Sequence, residues 1–561
     1  MKKTLHIMVA LLLVAGFVLA GCTPSTPTPS AAPTSTGGSA SPAPTSTGGQ
    51  SPAAPAPTST GGSTPLAPAI PSAQETLPDE GPKHGGTFIV GNNNGPSGAG
   101  TINTPGWSPG LTHHVMPAVE TLVGMSPEGP VPTRLATGWT IAPDGSSITF
   151  ELRKGVKFHD GEDFNAAAVV WNLEARQGWR PELANIERFE TPDDYTVICY
   201  LKQYSNTLLY HLTWYSGLML SPKTHDPDRG EEWLNTNLAG TGPFKLVDFQ
   251  RDTRLVYERF DGYWDAPKPY LDRLEKVIIR DTSTLRSALL TGEIDAWNTA
   301  PTLEASELRD QGYGINLCPG LMRVWIPDSA NPDSPFFDPK VRMALDYALD
   351  KEAITEALGG GLFYTPESVV APTHVGYDTP ITPRSYDPDK ARQLLAEAGY
   401  PNGLDMTVTT QPATNPDLLA AMQAYLLEVG INMEINVVEN AVMATYRSGG
   451  WENGAILQGL STATQSYVHA LETDGLAPNR TRSALITPEY TGKLAEAARA
   501  MKFDDELRLT RELIKLIHDE AIILPLMTES RICVYAEHVH DFDLSGFSIW
   551  WWSPADIWLS K

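Results

Sequence analysis

Few residues of this sequence are spaced for catalysis or for metal binding. Neither the G-x-S-x-G motif of a serine nucleophile nor the H-E-x-x-H motif of a zinc protease occurs in the 561 residues. His159 could act as a base or a metal ligand, but no His/Glu pair accompanies it, and residues 158–161 are typical of a turn after a strand. His113 and His114 are adjacent, and neighbouring side chains on a strand point to opposite sides. The sequence therefore favours a protein that is not an enzyme and holds no metal or other cofactor.

The cysteines also argue against a metal centre. Beyond Cys22, the chain has Cys199, Cys318 and Cys533, which are far apart and form no CxxC pair. This odd number excludes a full disulfide framework and matches no zinc spacing. Whether two of the three form a disulfide is left open.

Cys22 is the cysteine for which the sequence predicts a chemical role. Two lysines open a secretory leader, and the apolar run at residues 7–19 is too short to span a bilayer. The small residues Ala20 and Gly21 then precede Cys22, which resembles the lipobox of bacterial lipoproteins. The resemblance implies that the leader, residues 1–21, is removed and that Cys22 is acylated and anchors the chain to the bacterial cell membrane. An ordinary signal peptide followed by a chance cysteine is the alternative.

The segment after the anchor is predicted to be a disordered tether, residues 22–83. It consists almost entirely of Pro, Ser, Thr, Ala and Gly, so it has too little apolar surface to offset the entropy of folding. The heptapeptide Ala-Pro-Thr-Ser-Thr-Gly-Gly begins at Ala32, Ala43 and Ala56, a unit too short for a solenoid. Such a coil reaches about 100 Å. Its glycosylation is left open.

Composition bounds the body, residues 84–561. The chain as a whole has 41% apolar and 9% aromatic residues, which are typical of a globular protein, and the length of the body suits two or three domains. Acidic residues outnumber basic ones by 66 to 41, which argues against a nucleic-acid partner. No apolar run after the leader is long enough for a membrane span.

The body mixes strands and helices, so we predict an α/β protein. Residues 83–91 and 195–201 read as strands, and residues 147–152 are expected to form a hairpin with Val156 and Phe158. Three helices are predicted after Asp338, Asp350 and Asp387.

Six segments together resemble the family 5 extracellular solute-binding proteins, the dipeptide, oligopeptide and nickel group of ABC importers. They follow the order of the family over nearly the whole body. These segments are LRKGVKFHDGEDFNAAAVVWNLE from Leu152, GTGPFKL from Gly240, GYWDAPKPYLD from Gly262, LLTGEIDAW from Leu289, FDPKVRMALDYALDKEAI from Phe337 and YDPDKARQLLAEAGYPNG from Tyr386.

The resemblance implies a two-lobed periplasmic-binding-protein-like fold of type II, cluster C. Domain I is expected at 84–318 plus 528–561, with an extra subdomain at about 125–235, and domain II at 319–527. Two strands should cross between the lobes near Cys318 and Met527, and ligand should bind in the interlobe cleft.

The same resemblance identifies candidate ligand-binding positions. Peptide-binding members carry an aspartate for the α-amino group in the stretch that corresponds to residues 457–466, and no acid occurs there. Burying an ammonium without a counter-charge is costly, so the sequence argues against recognition of a free peptide N-terminus in this way. The candidates are Trp107, Trp297, Asn298, Arg323, Trp325, Glu439, Asn440, Gln458 and Ser461.

The sequence thus predicts a monomeric, lipid-anchored extracytoplasmic receptor. It would bind a peptide or another small-molecule ligand and deliver it to an ABC permease and its ATPase. An oligosaccharide or a metal chelate is the alternative ligand. An anchored solute sensor and an extracellular hydrolase are the alternatives from other functional classes.

Overall fold

The structure is a computed structural model that describes residues 81–561 with some gaps. The gaps are 97, 104–111, 127–128, 226–229, 371–373, 375, 462–467, 469, 472–475, 477–480 and 543–552. All described residues belong to one of two units of the chain, Ala69–Lys561. The predicted leader, Cys22, the tether up to residue 80 and Trp107 lie outside the described residues.

The strands are mostly short runs rich in β-branched and aromatic residues. In chain order they are β1 Thr87–Asn92, β2 Glu120–Thr121, β3 Gly124–Ser126, β4 Gly129–Val131, β5 Ala136–Ile141, β6 Ser147–Leu152, β7 Ile186–Asp193, β8 Thr196–Leu201, β9 Leu218–Met219, β10 Phe244–Gln250, β11 Arg254–Arg259, β12 Arg273–Ile278, β13 Ala296–Trp297, β14 Gly314–Pro327, β15 Leu404–Thr410, β16 Ile431–Val437, β17 Gly454–Ser461, β18 Leu524–Tyr535, β19 Val539–His540 and β20 Trp558–Leu559.

The α-helices lie mainly between these strands. They are α1 Thr112–Val115, α2 Ala166–Gln177, α3 Thr207–Leu212, α4 Gly230–Thr236, α5 Thr282–Thr291, α6 Thr302–Asp310, α7 Pro339–Tyr347, α8 Lys351–Gly359, α9 Pro388–Glu397, α10 Pro416–Glu428, α11 Asn440–Gly449, α12 Pro488–Arg499 and α13 Phe503–Asp519.

Local capping explains where the three predicted helices begin. The carboxylates of Asp338, Asp350 and Asp387 accept hydrogen bonds of 2.8–2.9 Å from backbone N–H groups two or three residues later. These bonds satisfy amides that the first helical turn leaves open. Gly360 then ends α8 in the left-handed region at φ 50°. The helices predicted after the three aspartates are confirmed.

The main sheet has ten strands in the order β10-β11-β12-β1-β13-β18-β14-β17-β15-β16. The long strands β14 and β18 are antiparallel to each other, and each belongs to both halves of the sheet. We call the half with β10–β13 and β1 lobe I, and the half with β15–β17 lobe II. Thus a single sheet supplies the scaffold of both lobes, and β14 and β18 are the crossing strands.

Each face of this sheet is covered by its own cores. The front face is the one that carries Cys318 and Cys533 in lobe I and Val324 in lobe II. The rear face carries Val534 in lobe I and Trp325 in lobe II. On the rear, the chain after α8 joins the lobes, because Leu362 is buried in the lobe I core while the next residue, Phe363, packs against both rear cores.

A four-stranded antiparallel sheet, β5-β6-β8-β7, forms a separate layer of lobe I, which we call the subdomain. The predicted strand at 195–201 is confirmed as β8. The predicted hairpin is wrong, since β6 pairs with β5 and β8 instead. Val156 and Phe158 are buried under this sheet, and Lys157 forms an isolated bridge with Asp163. Apolar side chains in the 152–158 segment predicted a second strand, but their burial comes from a turn.

Candidate functional site

The carboxyl ends of the parallel strands in the two lobes face each other. Strand β18 is antiparallel to both β13 and β14, so β13 runs in the same direction as β14, towards lobe II. Strand β1 is parallel to β13, and β12 is parallel to β1, so these strands run towards lobe II as well. Strand β17 is antiparallel to β14, so β17, β15 and β16 run towards lobe I. Ligands of open α/β sheets bind beyond the carboxyl ends of their strands. The space between the lobes, beside the crossing strands, is therefore the candidate site.

The crossing strands are irregular where they pass between the lobes. Their pairing shifts between Pro319 and Met322. At this point Gly320 lies so close to the neighbouring strand that a Cβ atom would be 2.3 Å from the carbonyl oxygen of Glu529. Only glycine allows this backbone approach, and breaks of this kind bend a strand. We call residues 319–322 the hinge segment, or hinge.

Arg323 and Glu529 form an ion pair at the hinge. Nε and Nη2 of Arg323 donate to the two carboxylate oxygens at 2.7 and 2.8 Å, and both side chains are mostly buried. Arg323 lies opposite Met527, a rear-face core residue, and directly follows Met322 of the front core. This predicted ligand-binding side chain is therefore engaged with Glu529 on the rear side.

At the edge of lobe I, Asn298 is fixed by a polar network. Its Nδ2 donates to Asn92 Oδ1 at 3.0 Å, and the Cys533 thiol donates to its Oδ1 at 3.1 Å. Asn298 remains partly exposed. The next residue, Thr299, has φ 62°, which is rare for a β-branched side chain, and strained backbone of this kind clusters at functional sites.

Two cationic side chains flank this edge on the front face. Lys276 is buried, and its Nζ donates to His113 O at 2.6 Å; burial lowers the pKa of Lys276 to about 7. Arg531 pairs with Cys318 in the strand register and remains partly exposed; burial lowers its pKa also. The lobe I side of the cleft thus presents amide groups, with the partly exposed Arg531 beside them.

The edge of lobe II is polar as well. Gln411 follows β15 and donates through Nε2 to Asn440 Oδ1 at 2.5 Å. Asn440 begins α11, and Glu439 is the exposed residue before it, whose side chain makes no capping hydrogen bond. The structure thus places Glu439 and Asn440 together at one edge and Asn298 at the opposite one.

The other predicted residues are placed differently. Trp297 and Trp325 are almost completely buried in rear-face cores, which leaves them no surface for a ligand in this conformation. Gln458 is also buried and pairs with Val324. Ser461 ends β17 opposite Leu321, at the hinge.

Sequence reasoning missed Glu529, Asn92, Gln411 and Arg531. Asn92 and Gln411 follow predictable strands, so their position after an apolar run was a usable signal. Glu529 and Arg531 gave none, because their place depends on the register between strands about 200 residues apart.

The residues considered for catalysis or metal binding have structural roles. His159 is partly buried, and its Nε2 bonds to Gly242 O at 2.8 Å; loss of contact with water lowers its pKa to about 4. His113 and His114 lie on the short helix α1 rather than on a strand, with ring centroids 3.9 Å apart.

Cys199, Cys318 and Cys533 are buried and form no disulfide. In the described part of the chain, no cluster of three or more His, Cys, Asp or Glu side chains could hold a metal ion, and none of its helices is long and apolar enough to cross a membrane.

Comparisons with known proteins agree with this architecture. The family model described as "Bacterial extracellular solute-binding proteins, family 5 Middle" matches residues 130–468. The glutathione-binding protein GsiB of Salmonella choleraesuis (strain SC-B67) is 30% identical over 448 residues, which cover 76% of this chain and 87% of that protein.

Solved structures match over most of the chain. The ABC transporter-associated periplasmic binding protein DppA from Helicobacter pylori, in complex with the peptide STSA, superposes with a TM-score of 0.67 at 25% identity. The match covers 85% of this chain and 99% of DppA. NikA from Brucella suis, in complex with Fe(III)-EDTA, has a TM-score of 0.71 at 23% identity and matches 83% of this chain and 98% of its own. The predicted two-lobed α/β fold is confirmed.

Proposed function

Because the chain belongs to the bacterial extracellular solute-binding proteins of family 5, which serve ABC importers and are not enzymes, we propose that it binds a peptide or a similar small polar solute between its lobes and delivers it to a membrane permease. The observation that carries this proposal is that the carboxyl ends of the parallel strands in one lobe face those of the other lobe, with Gly320 of the crossing strands between them. We call these two rows of strand ends the carboxyl edges. A solute held there contacts both lobes, so its binding energy favours the closed form.

The proposed contacts come from the polar residues at the two edges. Asn298 on lobe I and Gln411, Glu439 and Asn440 on lobe II offer amide and carboxylate groups to a polar solute. We retain Trp107 and Ser461 from the sequence prediction. We assign Arg323, Trp297, Trp325 and Gln458 to the scaffold, since they are paired or buried.

The charge of the cleft favours a solute with a carboxylate. Arg531 is partly exposed on the front face of lobe I, while residues 457–466 lack the acid that would receive an ammonium. The relative GsiB is named for glutathione, a peptide with two carboxylates. An acidic peptide is thus our first candidate. The burial of Trp297 and Trp325 removes two stacking surfaces on which an oligosaccharide would depend.

Attachment through Cys22 and a flexible tether completes the proposal. The leader and the Leu-Ala-Gly-Cys sequence at residues 19–22 support lipidation, and the Pro/Ser/Thr-rich segment gives the body reach towards a permease. The expected domain boundaries, 84–318 plus 528–561 and 319–527, and the monomeric state remain parts of this proposal. Replacing Cys22 with Ala should release the protein from the membrane fraction, and retention there would contradict the anchor.

A thermal-shift screen of the full chain tests the solute. The probes are reduced glutathione, di- to pentapeptides, cello- and xylo-oligosaccharides and nickel chelates. A ligand at 100 times its Kd adds about 2.7 kcal/mol of stability. Asn440→Ala should reduce the shift, while Asn432→Ala, at the opposite end of β16, should leave it unchanged. Shifts with oligosaccharides alone would overturn the peptide assignment, and no shift with any probe would overturn the proposed solute class.

A further inference from the structure

The two lobes touch at a second place, remote in sequence from the crossing strands. The loop before α3 in the subdomain meets the end of α12 in lobe II. The backbone N–H of Asn206 donates to Ala498 O at 2.7 Å, and its side-chain Nδ2 donates to Ala497 O at 2.8 Å. Asn206 is 4% exposed. Its bonds satisfy carbonyls at a helix end, which otherwise lack partners.

A buried carboxylate strengthens this contact. Glu506, in the first turn of α13, is 7% exposed and bonds to the hydroxyl of Tyr210 in α3. Tyr204 is buried beside it, and burial together with the Glu506 charge raises the pKa of Tyr204 to about 12. A carboxylate so far removed from water depends on its hydrogen-bond donors.

A third pair lies next to these contacts. When the Gln203 amide is oriented with its oxygen towards the guanidinium, that oxygen accepts from Arg499 at 2.6 and 2.7 Å. Every contact in this group joins the subdomain to the helix pair α12–α13. We refer to Gln203, Asn206 and Tyr210 with Ala497, Ala498, Arg499 and Glu506 as the latch.

The position of the latch couples it to hinge bending. The helices α12 and α13 cover the front face of lobe II, and the subdomain belongs to lobe I. The latch therefore bridges the lobes on the front, whereas Leu362 joins them on the rear. Because the latch contacts join residues of the two lobes, a bend at Gly320 that moves the subdomain away from α12 and α13 breaks them. Such small polar interfaces between domains break and reform easily.

We propose that this latch holds the lobes closed and sets the population of the closed conformer before a solute arrives. The inference rests on the proposed function, since only an opening and closing receptor needs such a device. A receptor that is already partly closed without ligand has a larger fraction of its molecules in the conformation that binds, so its apparent Kd is lower. The latch would thereby tune affinity without touching the solute.

The test measures lobe separation in the unliganded full chain by pulsed EPR. Spin labels are placed at Glu293→Cys in lobe I and Asp389→Cys in lobe II, both exposed positions, in a Cys22→Ala background. The three remaining cysteines are buried and should not react with the label. Asn206→Ala and Glu506→Ala should each raise the ratio of open to closed protein by about threefold to tenfold, the range expected for one or two hydrogen bonds.

Glu512→Gln is the matched control. Glu512 lies on the same helix α13 but pairs with Lys493 and Arg508 within lobe II. It should leave the distance distribution unchanged. Distributions for Asn206→Ala and Glu506→Ala that match the unsubstituted chain, or an equal change in Glu512→Gln, would overturn the latch.

A covalent version keeps the proposal testable if the truncated variants fold poorly. The backbone hydrogen bond between Asn206 and Ala498 brings their Cα atoms within the range of a disulfide. In Asn206→Cys/Ala498→Cys, oxidation by diamide should form the disulfide and remove the open population, and dithiothreitol should restore it. Failure to form the disulfide in folded protein would count against the latch.

Glutathione and the peptide Ser-Thr-Ser-Ala separate this proposal from the proposed function. If a probe binds and closes the lobes while the latch variants behave like the unsubstituted chain, the latch is wrong and solute capture stands. If the variants open the lobes but neither probe binds, the latch stands and the proposed peptide class is wrong.

Discussion

Arg323 and Glu529 lie 206 positions apart and meet in a two-pronged ion pair, with N–O distances of 2.7 and 2.8 Å, at the point where the crossing strands pass between the lobes. This pair joins β14 to β18 beside the register shift between Pro319 and Met322. At that shift, the absence of a side chain at Gly320 allows the two backbones to approach closely. The ion pair therefore holds the two strands together beside the irregular part of their ladder.

We expect Arg323→Ala to lower the free energy of unfolding by about 1–2 kcal/mol, because it leaves a mostly buried carboxylate without its partner. The double variant Arg323→Ala/Glu529→Ala should lose less than the sum of the single changes. Urea denaturation measures these losses, and Arg508→Ala, which breaks a surface pair, should cost no more than about 0.5 kcal/mol. Binding of the probe solute should survive in Arg323→Ala; its abolition would return Arg323 to the ligand site.

Asp295 should be among the most sensitive carboxylates of lobe I. It is 3% exposed and accepts hydrogen bonds from Ile89 N, His538 Nε2 and Lys561 Nζ at 2.7–2.8 Å. Asp295→Asn removes the charge and should cost about 2–4 kcal/mol in urea denaturation. Asp556→Asn, an exposed partner of Lys268, is the control and should be nearly neutral. Equal losses for both variants would contradict the role of burial.

Stability should fall as pH drops from about 6.5 to 4, partly through His159. Burial lowers its pKa in the folded protein to about 4, so between these pH values the unfolded chain binds more protons than the folded one. The contribution is complete above the unfolded pKa and is lost as the pH falls, by about 1.4 kcal/mol per pH unit within the window. His159→Gln should flatten the dependence of the urea midpoint on pH. His84→Gln, at an exposed site, should not.

Thr299→Gly should not destabilise the protein, although glycine usually does. The backbone of Thr299 has φ 62°, which glycine adopts without steric cost, so relief of strain offsets the greater entropy of the unfolded chain. We expect a change between zero and about 1 kcal/mol in favour of the variant. Thr445→Gly, in the exposed part of α11, should lose about 0.5 kcal/mol. A loss at Thr299 as large as at Thr445 would show that the left-handed backbone is not strained.

Local signals in the sequence predicted the helices well. The helix starts were predictable from three capping residues, because a cap accepts hydrogen bonds from amides only two or three residues away. These caps are Asp338, Asp350 and Asp387. The resemblance in six ordered segments predicted the two-lobed fold. By contrast, Val156 and Phe158 suggested a strand, since apolar spacing does not distinguish a short strand from a buried turn.

The site was harder to predict, because the sequence does not reveal which residues of two strands are paired or on which face of the sheet a side chain lies. Trp297 and Trp325 stand on strands near the cleft, but which face a strand side chain joins depends on pairing that the sequence does not reveal. Glu529 could not be assigned to Arg323 without that pairing. The amides Asn298 and Asn440 were predictable because they directly follow strands or begin a helix at the carboxyl edge.

The three buried thiols have a consequence for the maturation of an extracytoplasmic protein. Burial raises the pKa of Cys199 to about 12 and that of Cys533 to about 11, so at neutral pH neither is a nucleophile once the body has folded. None of the three is committed to a disulfide. The body can thus reach its native state outside the cytoplasm without a thiol oxidase. Once it has folded, oxidants in the surrounding solution do not contact these three sulfur atoms, because all three are buried.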